Sequence, residues 1–170
     1  TYPGTWRKEG GSKTEGNIID EEYKEGIYVG YRWADRKKQR PVFAFGHGLS
    51  YTQFAISNLR ADKASMTAAD SITFTVQVKN IGQRAGSETV QLYVHDAKAS
   101  VDRPLKELKG FCKVSLQPGE SKDVSITLGK DALSFYDETT ASWKAEAGQF
   151  EAWVGNASDN LKLRKSFQLK

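Results

Sequence analysis

From Phe54 to the end of the chain, apolar and polar positions alternate with a period of two. Ile72, Phe74, Val76 and Val78 alternate with Thr73, Thr75 and Gln77. Val90, Leu92 and Val94 alternate with Gln91, Tyr93 and His95. Val124, Ile126 and Leu128 repeat the pattern, as do Phe150, Ala152 and Val154, and then Leu161, Leu163, Phe167 and Leu169. This period marks strands with one core face and one outer face. Turn chemistry separates the runs: Asn80-Ile81-Gly82, Ala147-Gly148, and Gln117–Glu120 with Pro and Gly at the centre of a type II turn. Leu105–Leu116 reads as a bent strand or a short strand pair, and Lys130–Tyr136 as one helical turn with Asp131 in its first turn. About seven strands at roughly ten-residue spacing predict a mainly β chain, folded as an antiparallel β-sandwich. The same parity puts Tyr93 and Trp153 on outer faces. Exposed aromatics there would mark either a sugar-stacking surface or an interface with another domain or subunit.

The N-terminal part breaks this rhythm. Five glycines and many charges leave residues 1–26 irregular, with a turn of helix conceivable only over Asp20–Lys24. Such an arm is expected to be loose, or held by a neighbour. Ile27, Val29, Tyr31 and Trp33 share one parity, so 27–34 predicts a short strand buried on both faces. Asp35–Arg40 follows as a polar turn. Pro41–Phe54, PVFAFGHGLSYTQF, then joins the two halves. Phe43, Phe45, Tyr51 and Phe54 surround Gly46 and Gly48, and aromatics so dense need a large body to pack on.

Composition narrows the function. The 170 residues carry 25 basic and 21 acidic side chains, a net charge of +4, with the tightest basic cluster at Arg36–Arg40. That is a short solvated turn rather than the basic stripe a nucleic-acid binder needs. No run has the ~18 apolar residues of a membrane span, and the N-terminus lacks the apolar segment of a signal peptide. A single cysteine, Cys112, forms no intrachain disulfide and leaves the compartment open.

Longer motifs add a resemblance. Glu25 to Trp33 (EGIYVGYRW) and Phe45 to Thr52 (FGHGLSYT) closely resemble the C-terminal part of family 3 glycoside hydrolases, the β-glucosidase and β-xylosidase group. Val101–Pro104, Glu107–Phe111, Leu116–Ser121, Asp131–Asp137, Gly148–Glu151 and Val154-Gly155 resemble successive motifs of that family's fibronectin type III-like domain. Two small departures are Trp33, where the family often has Tyr, and Ala44, where it often has Pro. The resemblance implies a fibronectin type III-like, immunoglobulin-like sandwich over 45–170. Residues 1–44 would then be an arm: the tail of the preceding α/β domain, and a linker. It also implies that the nucleophile and the acid/base carboxylate lie in upstream domains, so no catalytic residue is carried over. The expected role is accessory, stabilising the catalytic domains of an enzyme that hydrolyses terminal β-linked glycosyl residues. Such enzymes are often periplasmic or secreted.

The candidate chemistry agrees. Retaining hydrolysis needs two carboxyls ~5 Å apart in a sugar-shaped pocket, and the loop acids from Asp20 and Asp35 to Asp102, Asp137 and Glu138 have no such context. Two histidines cannot build a His-rich metal site, and no cofactor is implied. His47, between two glycines, reads as a packed structural histidine. Asn156-Ala157-Ser158 fits the glycosylation acceptor pattern. The candidate contacts, interdomain or sugar, are Tyr28, Tyr31, Arg32, Trp33, His47, Tyr93 and Trp153. The partners they imply are the catalytic domains, an oligosaccharide or polysaccharide, or a second copy of the chain. The alternative reading is a free-standing carbohydrate-binding sandwich.

Overall fold

In the computed structural model, residues 6–8, 19–21 and 24–170 are described. In chain order the elements are β1 (Trp6–Lys8), β2 (Ile19–Glu21), α1 (Tyr31–Lys37), β3 (Phe54–Ala61), β4 (Ser65–Met66), β5 (Ser71–Asn80) and β6 (Gly86–Asp96). They continue with β7 (Glu107–Leu116), β8 (Ser121–Gly129), a 3-10 turn (Lys130–Leu133), β9 (Phe135–Asp137), β10 (Ser142–Lys144), β11 (Gly148–Gly155) and β12 (Leu163–Leu169). A three-stranded sheet, β3-β5-β8, faces a five-stranded sheet, β4-β12-β11-β6-β7. Pairing is antiparallel, except that β4 runs parallel to β12. This is the β-sandwich that the period-two pattern predicts.

The core sits between the two sheets. Ile72, Phe74, Val76 and Val78 of β5 meet Val90, Leu92 and Val94 of β6, Phe150 and Val154 of β11, and Phe167 of β12. Phe167 is the centre, with ring centroids 5.2 Å from Phe74 and 5.7 Å from Phe150. Burying three such side chains from one strand stabilises by about 5–9 kcal/mol before chain entropy is counted. Outward positions on β5 and β8 pair hydroxyl to hydroxyl, Thr73 with Thr127 at 2.9 Å and Thr75 with Ser125 at 2.8 Å. These cross-strand pairs fix the register on the polar face. The 117–120 turn closes through Glu120 N–H donating to the Gln117 carbonyl at 3.1 Å.

Several local expectations change. Residues 27–34 are not a strand. Gly30 takes a φ of +64°, which ends any extended run, and α1 begins at Tyr31. The parity fails with it: Ile27 and Val29 are about half exposed, whereas Tyr28 is buried. Asp35–Arg40 is a polar turn only after Lys37, because α1 extends that far and stops at Lys38 in the left-handed region. Asp20 and Glu21, at the start of the conceivable helical turn, lie in a strand instead, since Ile19–Glu21 pairs antiparallel with Trp6–Lys8; the rest of that expectation reaches outside the described residues. Of the two readings of Leu105–Leu116, the single irregular strand holds, and it begins at Glu107 rather than Leu105. One strand runs from Glu107 to Leu116, with its irregularity opposite Leu92 and Tyr93. The looseness expected of 1–26 falls mostly outside the described residues.

Candidate interdomain surface

Strands β6 and β11 are covered on both faces. Residues Val90 to Val94 are buried without interruption, and so are Ala152 to Gly155. The inward face meets the second sheet. The outward face carries Tyr93 and Trp153, as the parity requires, but neither is exposed: Tyr93 is 0% and Trp153 8% accessible. The cover is the chain's own N-terminal segment, together with flanking side chains. Tyr31 meets Tyr93 edge-on at 5.5 Å and Phe45 at 5.5 Å. Burial pushes the Tyr93 phenol above its ordinary range, helped by Tyr31 and by the Asp35 charge, so it stays a neutral donor to Gln91 Oε1 at 2.6 Å. Trp153 lies between His95, 5.1 Å away, and the Arg164 guanidinium, 4.0 Å over its ring, while its Nε1–H donates to Glu151 at 2.7 Å. The outer face therefore offers no aromatic surface at Tyr93 or Trp153.

Polar ties hold the segment in place. Tyr28 Oη donates to Asp102 at 2.6 Å, and Arg36 Nη1 donates to both oxygens of the same carboxylate at 3.1 and 3.0 Å. The Arg36 guanidinium also lies 4.1 Å over the Tyr28 ring. Tyr31 Oη accepts the Leu108 N–H at 2.9 Å, and Arg32 donates to Glu107 at 3.1 Å. Lys106, almost fully buried, pairs with Asp35. Trp33 takes no part in the seat; its ring is half-buried under the Lys37 ammonium. Glu107 is the hub. It accepts from Arg103 at 2.6 Å and faces Lys109 at 3.6 Å, while Arg103 also reaches Asp96 at 3.2 Å and the Leu133 carbonyl at 3.0 Å. Burial raises the Glu107 pKa, but the Arg103 hydrogen bond and the charges of Lys109, Arg103 and Arg32 outweigh it and hold the carboxyl below its usual value. Hydrogen bonds from Tyr28 and Arg36 hold Asp102 low as well, against a smaller desolvation effect. A glycosidase acid needs the opposite environment, one that keeps a carboxyl protonated near neutral pH. Asp96 and Glu107 share one guanidinium and act as structural acceptors. Among the described residues, no group of three or more His, Cys, Asp or Glu is placed to hold a metal, and no helix is long and apolar enough to cross a membrane.

The join at Gly46 is equally tight. Gly46 has a φ of +84°, and a Cβ placed on it would fall 2.0 Å from Gln91 Nε2. That nitrogen donates to the Asn156 carbonyl at 2.8 Å, and the Phe45 carbonyl accepts the Ser158 N–H at 2.9 Å. The buried Asn80 anchors the far end of the joint, accepting from Thr52 at 2.7 Å and donating to the carbonyls of Arg84 and Leu116. Gly46→Ala should cost about 1–3 kcal/mol, from the left-handed backbone and the displaced Gln91. A fall in the urea midpoint is the measurement, and an unchanged midpoint would refute this seating.

Between these anchors the joint displays apolar side chains. Val42 is 92% exposed, Leu49 94% and Tyr51 92%, with Phe43 and Phe45 more than half exposed. His47 is exposed too, contrary to the packed histidine expected. Its N–H donates to the Ala44 carbonyl at 2.9 Å, and its ring rests 5.1 Å from Phe43, on the rim of a polar cleft rather than inside a core. His47 lies in a loop between two glycines, outside any strand or helix, so its immediate chain neighbours offer no side chain to bury it.

Comparison with known proteins supplies the context. Residues 88–158 match the family described as fibronectin type III-like domain. The chain is 49% identical over 148 residues to thermostable β-glucosidase B of Acetivibrio thermocellus, a match covering 87% of this chain and 20% of that protein. It is 45% identical over 153 residues to β-glucosidase BoGH3A of Bacteroides ovatus, covering 90% and 20%. The crystal structure of a β-glucosidase from Kluyveromyces marxianus, in complex with glucose, superposes with a TM-score of 0.79 at 43% identity, over 87% of this chain and 17% of that one. The Bifidobacterium adolescentis GH3 β-glucosidase gives a TM-score of 0.81 at 37% identity, over 88% and 22%. The chain thus spans about a fifth of the length of the curated relatives it matches.

Proposed function

This chain carries the fibronectin type III-like domain found in family 3 β-glucosidases, and from that premise we propose that it is the C-terminal accessory region of such an enzyme. Its role is structural: it covers apolar surface on the catalytic domains and fixes their placement. The reading divides the chain at 44/45, into an arm that ends the preceding α/β domain and a sandwich from 45 to 170. The carrying observation is the joint. Val42, Phe43, Leu49 and Tyr51 stand in water on a backbone pinned at Gly46 and Asn80. A cluster of large apolar side chains held rigidly outward is what an interface core looks like before its partner arrives. The relatives are more than four times as long as this chain, which leaves ample protein for that partner.

In this reading the complete enzyme hydrolyses terminal β-linked glucosyl or related residues, with both catalytic carboxylates supplied upstream. The purified chain is therefore expected to release no nitrophenol from 4-nitrophenyl β-D-glucoside above the buffer rate, whereas the product of the whole reading frame turns it over. Turnover by the isolated chain, or an upstream frame that encodes no glycoside hydrolase catalytic domain, would sink the proposal.

A further inference from the structure

The β9–β10 hairpin has no part in the joint or in the seat of the N-terminal segment. Tyr136 and Trp143 lie directly opposite each other in its register, so both side chains project from the same face. They are the exposed side: Tyr136 is 51% and Trp143 68% accessible, with ring centroids 5.7 Å apart at 74°. The opposite face is fastened to the body. Phe135 lies 5.7 Å under the buried Arg103 guanidinium, and Glu146, just past the hairpin, accepts from the Ser100 hydroxyl at 2.6 Å and the Ser100 N–H at 3.2 Å. The loop beyond the rings is ordered and polar, with Thr139 N–H donating to Asp137 at 3.0 Å and the Thr140 and Ser142 hydroxyls 2.9 Å apart.

We propose that the Tyr136–Trp143 face is a stacking platform for a β-linked glucose chain. The ligand class rests on the β-glucosidase reading above; the site rests on the hairpin itself. Two rings framed by hydroxyl and carboxylate side chains are far too little apolar surface for a protein interface, which needs roughly 800 Å² per partner. One ring matches one pyranose unit, whose apolar C–H face covers it while its equatorial hydroxyls reach the polar frame, and the other ring, turned 74° to the first, walls the site. Because the hairpin is already ordered, binding costs little additional side-chain entropy. The platform also stands apart from the joint. The joint packs along β6 from Gly86, where Thr52 and Phe54 approach, to Gln91 beneath Gly46, while the hairpin hangs from Arg103 and Asp96 at the other end, about 17 Å along the strand from Gln91.

The test is affinity electrophoresis of this chain in gels containing mixed-linkage β-glucan or an α-glucan. The Trp143 indole resonance is followed in parallel during titration with cellohexaose. Retardation by the β-glucan alone is expected, with a shifted Trp143 resonance and about tenfold weaker retardation for both Trp143→Ala and Tyr136→Ser. Both rings are exposed, so the variants keep the wild-type melting temperature. The resonance shift is read on the wild type and holds even if a variant misfolds. No retardation of the wild type, equal retardation by the α-glucan, or wild-type retardation of Trp143→Ala would each overturn the proposal. None of these readouts depends on turnover, so failure here leaves the accessory-domain reading standing, and failure of that reading leaves the gel result intact.

Discussion

Arg103→Ala is expected to lower the unfolding free energy by about 3–5 kcal/mol, because it strands buried carboxylates rather than merely deleting a contact. Asp96 and Glu107 are both largely buried and both bonded to this one guanidinium, and the Leu133 carbonyl loses its donor as well. Arg32 and Lys109 remain near Glu107, whereas the ion pair holding Asp96 is gone. Urea unfolding at neutral pH measures the loss, and adding Asp96→Asn should recover part of it, since the two changes act on one network. The pH dependence sharpens the test. Glu107 is depressed in the folded protein, so its contribution is complete above its unfolded pKa and is lost as pH falls through the lower folded value. That acid slope should flatten in Arg103→Ala. A loss below about 1 kcal/mol would mean that the network behaves like an exposed ion pair.

Removing residues 1–44 is the second large effect. The sandwich strands would all remain, yet Tyr93 would lose Tyr31, Lys106 would lose Asp35, and Glu107 would lose Arg32. Uncovering one buried aromatic costs about 1.5–3 kcal/mol, and a buried ammonium without its partner costs more. Residues 45–170 alone should therefore unfold on the order of 3–6 kcal/mol more easily than the chain with its arm. Near-ultraviolet circular dichroism during thermal melting reads this through Tyr93 and Trp153. Coincident melting curves for the two lengths would show that the arm only rests on the sheet.

Period two exposed the sandwich because each strand carries its own evidence: Ile72 to Val78 states both its burial and its direction. The cover over β6 leaves no comparable local trace. Parity puts Tyr93 on the outward face, as the structure has it, but what lies on that face comes from Tyr31, and periodicity does not reach across such a separation. A hint was present in Val90–Val94, where a large aromatic and a Gln on the outward side suit a strand buried on both faces. The aromatic run at 27–34 misled for a related reason. Its apolar residues alternate as in a strand, but Gly30 divides them into a turn and a helix, and the ring contacts then rather than the period decide which are buried. Lys106 and Arg103 were unreadable as interior residues, since a charge is interior only if its partners arrive from elsewhere. Tyr136 and Trp143 could have been found, because a strand pair across a short polar loop places its aromatics opposite each other.

The seat of the N-terminal segment also sets an order of events. Tyr31 waits 77 residues for the Leu108 amide it finally bonds, and Tyr28 waits 74 for Asp102. At about 5–20 residues per second, a ribosome needs roughly 4–15 s to make that stretch. Throughout that interval Tyr28 and Tyr31 are already synthesised while the sheet they pack on is not. Within this stretch the aromatic segment thus precedes its shelter on β7, which makes that interval one in which a chaperone has much to protect.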